Sequence, residues 1–93
     1  MNTLLREEIF DRLNLSRDKV LDEMALLSAN QRYSEHAMEV EYFEKKYNEN
    51  FNSFDEKFRK SNVSYEMEND WMAWKFAEEG KNYWTSLLKD IEK

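Results

Sequence analysis

The sequence contains no cysteine and no proline, and Gly80 is its only glycine. Without cysteine, disulfides and zinc–thiolate or iron–sulfur sites are excluded. An all-β domain needs turn residues about every 8–12 positions, and this composition does not supply them. Charged residues make up 37% of the chain, and most are Glu and Lys, which favour helix. The sequence therefore predicts an all-α protein with long helices.

Positive charge is also scarce. The net charge is −6 and the isoelectric point is about 4.8. Proteins that bind nucleic acid draw most of their affinity from Lys and Arg against phosphate, and the longest basic cluster here, residues 57–60, is short and interrupted by Phe58. Direct binding to nucleic acid is not expected. A basic protein is the more natural partner for an acidic domain.

Long apolar runs are missing as well. The first residues lack the apolar stretch of about 7–15 residues that a secretory signal peptide needs. No segment approaches the roughly 20 apolar residues of a membrane span. These absences predict a cytoplasmic protein with no membrane contact.

The hydrophobic periodicity predicts one helical domain over residues 1–93 with three or four helices. Ser16 is the expected N-cap of the second helix, and Asn48 is expected to end it in the left-handed conformation. A break of that helix near Asn30 is the alternative, and either Asn50 or Ser53 caps the third helix. The predicted helices span about residues 4–13, 17–47, 51–60 and 70–91.

Two apolar stripes predict how the long helices pack. The second helix carries a heptad series with the 3-4 spacing of a coiled coil: Leu26, Ala29, Tyr33, His36, Val40, Phe43 and Tyr47. The last helix has a broader apolar face: Met72, Phe76, Ala77, Gly80, Tyr83, Trp84, Leu87, Leu88 and Ile91. We expect the two helices to pack antiparallel. Because the broad face exceeds what one short chain covers, we also expect a homodimer or an obligate complex.

The tryptophans and the glycine take different positions on the last helix. Gly80 lies at the middle of the apolar face, where a missing side chain allows another helix to approach closely. Trp74 lies at the edge of that face, and Trp71 lies on the polar side. The preceding residues 61–69 alternate apolar and polar side chains, which predicts an extended or irregular segment.

Catalytic and metal-binding patterns are weak. His36, the only histidine, lies on the heptad stripe, where a partly buried structural role is expected rather than general-base catalysis. Its single His-x-x-Glu pairing with Glu39 lacks the further ligands of a helical metal site. The sequence has no G-x-S-x-G motif and no glycine-rich phosphate loop. We therefore predict no enzyme activity, no metal and no cofactor.

Aromatic and acidic side chains alternate near the start of the last helix. Trp and Tyr are enriched at protein interfaces, and carboxylates beside them would attract a basic groove. The alternatives are a solvated loop, a helix N-terminus that Asp70 stabilises through the helix dipole, and core packing of the aromatic rings. The predicted partner-binding residues are Tyr65, Glu66, Met67, Glu68, Asp70, Trp71 and Trp74.

Residues 43–88 also resemble a known group of proteins. The segments FEKKYNENFNSFDEKF and DWMAW combine a Glu-x-Lys-Tyr helix end, a short helix with spaced Phe and a later Trp. This pattern resembles short, acidic, all-helical prokaryotic antitoxin-like proteins, which are encoded beside small nuclease-type toxins. Asn48 stands where that pattern usually has Gly, and residues 1–30 match nothing in it. The matching residues are Glu44, Lys46, Tyr47, Phe54, Phe58, Asp70 and Trp74.

The resemblance implies a non-enzymatic protein-binding module that neutralises a basic toxin. Two other functions fit the same composition. A phage-type acidic inhibitor or nucleic-acid mimic would have the same electrostatics but a different gene context. A structural scaffold subunit would carry the charge without a target for it. The identity of the adjacent gene distinguishes the first two.

Overall fold

The computed structural model describes residues 3–13 and 16–92, in which four α-helices follow one another: α1 (Thr3–Arg12), α2 (Arg17–Tyr47), α3 (Phe51–Lys60) and α4 (Tyr65–Glu92). No strand occurs in those residues. The prediction of an all-α fold is confirmed. The predicted packing of the long central helix on the C-terminal helix is confirmed as well.

Polar side chains define the helix ends. Ser16 caps α2 by accepting a hydrogen bond from the backbone N–H of Lys19 at 3.1 Å. Asn48 ends α2 with φ 54°, the left-handed conformation that only a few residues tolerate. Asn50 then caps α3 and accepts from the backbone N–H of Ser53 at 2.9 Å. The alternative start at Ser53 is therefore wrong.

Helix α4 begins at Tyr65, five residues before its predicted start. The backbone N–H of Met67 donates to the Ser64 hydroxyl at 3.1 Å, which caps the helix. Glu66 and Glu68 lie in the first turn, where they complement the helix dipole. The expectation of an extended or irregular segment over residues 61–69 is wrong from Tyr65 onward. Residues 67, 71 and 74 have helical spacing, which the alternation before them obscured.

Helices α2 and α4 run antiparallel. Lys46 contacts Asp70, and the Phe43 ring stacks on Trp74 with centroids 5.6 Å apart. Helix α2 continues unbroken through Asn30, whose side-chain amide donates to the Leu26 carbonyl at 3.0 Å. The alternative prediction, a break of α2 near Asn30, is therefore wrong. The seam buries Ala29, Val40 and Phe43 and partly buries Tyr33, His36 and Tyr47, all members of the predicted heptad series.

Gly80 provides the close approach that the sequence predicts. A Cβ atom at this position would lie 2.5 Å from Cε1 and Nε2 of the His36 imidazole. The same imidazole meets the edge of Phe76, with ring centroids 5.5 Å apart. His36 thus fills the space that the missing glycine side chain leaves between α2 and α4.

The core differs from the predicted face of α4. Trp74, expected at the edge, is fully buried together with Ala77, whereas Phe76, Met72 and Tyr83, expected to be buried, are exposed. The predicted face of α4 is the one expected if a single neighbouring helix, α2, packs against it. In the structure α2 and α3 cover it from two adjacent sides, and the covered arc shifts toward Trp74 and away from Phe76. The side chain of Ile91 lies outside the described residues.

The molecule is elongated, with principal extents of 62, 30 and 16 Å. The aromatic core occupies the end where α3 meets α2 and α4. Toward the other end, Leu21, Met24 and Leu27 of α2 are exposed. No helix among residues 3–13 and 16–92 has the length and apolar character to cross a membrane.

Candidate functional site

The predicted partner-binding residues occupy the first three turns of α4. These turns lie against the C-terminal end of α2 and against α3. Residues far apart in the sequence therefore meet at this end of the molecule. The structure places the predicted residues at three depths: in the core, in contacts between helices, and on the surface.

Asp70 joins α4 to the end of α2. One of its carboxylate oxygens accepts a hydrogen bond from Lys46 Nζ at 2.6 Å and another from the Tyr47 hydroxyl at 2.5 Å. Lys46 Nζ also contacts a carboxylate oxygen of Glu66 at 2.8 Å. Charged hydrogen bonds of this kind are stronger than neutral ones and fix the geometry of both partners. The start of α4 is thereby attached to the last turn of α2.

These contacts shift the pKa values of Asp70, Lys46 and Tyr47. Partial burial raises the pKa of Asp70, but the hydrogen bonds from Lys46 and Tyr47 outweigh it, and the pKa lies below its ordinary value. The hydrogen bond to Asp70, followed by that to Glu66, raises the pKa of Lys46. Burial, followed by the hydrogen bond to Asp70, raises the pKa of the Tyr47 phenol to about 12. Near neutral pH the cluster is an ammonium, a carboxylate and a neutral phenol.

The stability of the fold should depend on pH through this cluster. The Asp70 contribution is fully present above its unfolded pKa of about 4 and is lost as the pH falls through the lower folded value. The Tyr47 contribution is fully present below about pH 10 and is lost as the pH rises through about 12. We expect Asp70→Asn to lower the free energy of unfolding by about 1 kcal/mol at pH 7 and to flatten its decline toward pH 3.

Urea unfolding followed by circular dichroism at pH 3, 5 and 7 measures this effect. The matched control is Asp22→Asn, because Asp22 is exposed on α2. It should keep the wild-type pH dependence. An Asp70→Asn variant that declines as steeply as the wild type between pH 7 and pH 3 would contradict the role of this carboxylate.

Trp71 is held by α3. Its ring stacks on Phe58 with centroids 4.8 Å apart and an interplanar angle of 4°. Its indole N–H donates to a carboxylate oxygen of Asp55 at 2.8 Å. This hydrogen bond, together with the Arg59 guanidinium, lowers the pKa of Asp55 although burial opposes the shift. The sequence places Trp71 on the polar side of α4, but in the structure its side chain is half-buried, because α3 covers that side and the ring packs against the core.

The remaining predicted residues divide between core and surface. Trp74 is fully buried and Met67 packs against the same core. Tyr65, Glu66 and Glu68 are exposed. We call these three residues the acidic rim. Within the predicted set, only the residues of the acidic rim are exposed in the structure.

Sequence reasoning missed the residues that position the rim. Lys46 enters the sequence prediction only through the resembling motif, Tyr47 enters through that motif and the heptad series, and Asp55 has no predicted role at the site. The one usable local signal was Ser64 followed by Glu66 and Glu68, an N-cap with acidic residues in the first turn. The contact between Lys46 and Asp70 spans 24 residues of sequence, and no local pattern indicates it.

His36 lies elsewhere, on the seam of α2 and α4. Its Nδ1 is buried and has no hydrogen-bond partner within the described part of the chain. Among residues 3–13 and 16–92, no group of three or more His, Asp or Glu side chains is arranged to hold a metal ion. The arrangement around α4 is suited to charge and shape recognition.

Comparison of the chain with known protein families, with curated proteins and with solved structures finds no match.

Proposed function

We propose that this chain is a non-enzymatic protein-binding module of the antitoxin type, acting in the cytoplasm as a homodimer. Its partner is a basic protein whose nucleic-acid-binding surface the acidic rim covers. The observation that carries the proposal is the acidic rim itself: exposed Tyr65, Glu66 and Glu68 on the first turn of a helix whose next turns are fixed by Lys46 and Asp55.

The geometry supports recognition because the rim is already ordered before binding. A partner that binds a preformed surface does not have to order it, and this lowers the entropic cost of association. Sites that bind RNA or DNA are lined with Lys and Arg that contact phosphate. The exposed carboxylates of Glu66 and Glu68 complement such a site in charge.

The overall charge supports the same proposal. At −6 for 93 residues, the chain accelerates its encounter with a basic protein and is repelled by nucleic acid. The resemblance over residues 43–88 specifies the kind of partner, a small nuclease-type toxin encoded beside the gene. Lys46, Tyr47 and Asp70, all part of that resemblance, are the residues that fix α4 on α2.

Charge reversal on the rim tests the proposal. The variant Glu66→Lys with Glu68→Lys should weaken binding to the purified product of the adjacent gene by 10-fold or more, about 1.4 kcal/mol, because two attractive contacts become repulsive. Asp70 is left unchanged, because it is half-buried and accepts from both Lys46 and Tyr47, whereas the contact of Glu66 with Lys46 lies at the surface. Isothermal titration calorimetry measures the affinity.

The matched control is Asp22→Lys with Glu23→Lys. It changes the net charge by the same amount at exposed positions of α2 far along the chain from the rim. Circular dichroism establishes that both variants keep their helix content. If both double variants weaken binding equally, general charge attraction accounts for the affinity and the rim has no specific role. If neither variant changes the affinity, the proposed partner surface is wrong.

A further inference from the structure

A stripe of exposed apolar side chains runs along α4; its Phe76 ring touches His36 of α2 and still keeps most of its surface exposed. The stripe consists of Tyr65, Met72, Phe76 and Tyr83, whose side chains are exposed by 81%, 51%, 64% and 59%. At about 100° per residue, these four positions fall within an arc of roughly 40°. Their spacing of seven, four and seven residues is that of coiled-coil contact positions. We call this set the α4 stripe.

From the α4 stripe we infer that α4 pairs antiparallel with α4 of a second copy. The two-fold axis crosses the stripe at the height of position 74 along the helix, on the face opposite the buried Trp74 side chain. The stripe is symmetric about that position: Tyr65 and Tyr83 are equally far from it, and so are Met72 and Phe76. An antiparallel two-fold contact therefore sets Tyr65 against Tyr83 of the second copy and Met72 against Phe76. Two-fold interfaces require this kind of self-complementary patch.

The polar positions within the stripe follow the same symmetry. Asn69 and Glu79 are also equally far from position 74. Pairing about this axis sets an amide donor opposite a carboxylate acceptor, a complementary combination. Lys75, the charged residue nearest the axis, has its Nζ 5.2 Å from the centroid of the Trp71 ring on the α3 side. Its ammonium is therefore directed away from its counterpart in the second copy.

The surface area of the chain agrees with such a contact. The accessible surface is 7577 Å², whereas size scaling gives about 5,800 Å² for a compact protein of 11.4 kDa. A standard stable interface buries roughly 800 Å² per partner. The excess of roughly 1,800 Å² per chain is larger than the area that one such interface requires.

This inference rests on the proposed homodimer and does not depend on the identity of the basic partner. A second copy is favoured over a helix of another protein because the stripe is matched to itself, position by position. Tyr65 belongs to both the stripe and the acidic rim. In the dimer its ring faces the second copy, and the carboxylates of Glu66 and Glu68, at other angles of the helix, remain for the partner.

Cysteine cross-linking tests the direction and the register, since the chain has no cysteine of its own. We expect an equimolar mixture of Tyr65→Cys and Tyr83→Cys chains to form a disulfide-linked dimer under mild oxidation. Neither variant alone should cross-link, because like positions are separated by about 27 Å along the antiparallel helices, at 1.5 Å per residue, and a disulfide requires Cα atoms within about 7 Å. A parallel pair would give the opposite pattern and overturn the inference.

Light scattering after size-exclusion chromatography tests the association itself. The wild type should have twice the 11.4 kDa mass of the chain at micromolar concentration, and Phe76→Glu should have the mass of one chain with its helix content retained. Tyr42→Glu, an exposed aromatic position on α2, is the matched control and should remain dimeric. A wild-type monomer, or a dimer that survives Phe76→Glu, would overturn the inference. Neither result bears on whether the monomer binds the basic partner.

Discussion

Replacement of Trp74 by alanine should lower the free energy of unfolding by about 3–5 kcal/mol, the range for truncating a buried large aromatic side chain. Trp74 is the largest of the side chains with no exposed surface. Four rings surround it within 6.0 Å between centroids: Phe43, Tyr47, Phe51 and Phe54. The variant leaves these rings around a cavity and removes their contacts with the indole.

An effect of this size is a large part of the total stability. Domains of this length are stabilised by roughly 5–14 kcal/mol, and the core here is confined to one end of an elongated molecule. Urea unfolding followed by circular dichroism measures the change. The control, Tyr42→Ala at an exposed position of α2, should change the stability by less than about 1 kcal/mol. Equal losses in the two variants would contradict the position assigned to Trp74.

Replacement of Gly80 by alanine should destabilise the fold although alanine is the better helix former. The propensity difference favours alanine by about 1 kcal/mol. The added Cβ, however, would lie 2.5 Å from the His36 imidazole, and overpacking of this kind costs about 1–3 kcal/mol. The imidazole is held between Gly80 and the Phe76 ring, so that relief of the clash requires α2 and α4 to separate.

A second substitution reverses the expected sign. In a His36→Ala background the opposing ring is absent, and Gly80→Ala should then stabilise the protein by up to about 1 kcal/mol. The difference between the two backgrounds is the coupling between residues 36 and 80 in a double-mutant cycle. Thermal unfolding of the four proteins measures it. Gly80→Ala with the same effect in both backgrounds would mean that the helices do not approach closely at this point.

The features that the sequence predicts well are local or periodic. The heptad series of α2 and the turn residues Ser16, Asn48 and Asn50 each depend on neighbours within a few positions. Gly80 was predictable because a glycine at the middle of an apolar helix face has few other roles. These features fix the all-α fold and the packing of α2 on α4, which the structure confirms.

The positions of the tryptophans were not predictable in the same way. A helical wheel gives the angle of Trp71, Trp74 or Phe76 about the axis, but it does not say which neighbouring helix covers that angle. Helix α3 covers the side of Trp71, and Phe76 is left exposed. The contacts from Lys46 to Asp70 and from Asp55 to Trp71 join different helices and span 24 and 16 positions of the sequence. Polar residues so far apart in the sequence do not produce a periodic pattern that would indicate their contact.

The central claim is that the chain acts by binding a basic protein, and one titration tests it most directly. The chain is titrated calorimetrically into the purified product of the adjacent gene at low and at physiological ionic strength. The account predicts saturable binding, an affinity that falls as salt screens the opposite charges, and loss of the partner's nuclease activity at the equivalence point. Absence of saturable binding at both ionic strengths, by a chain whose circular dichroism is helical, would contradict it.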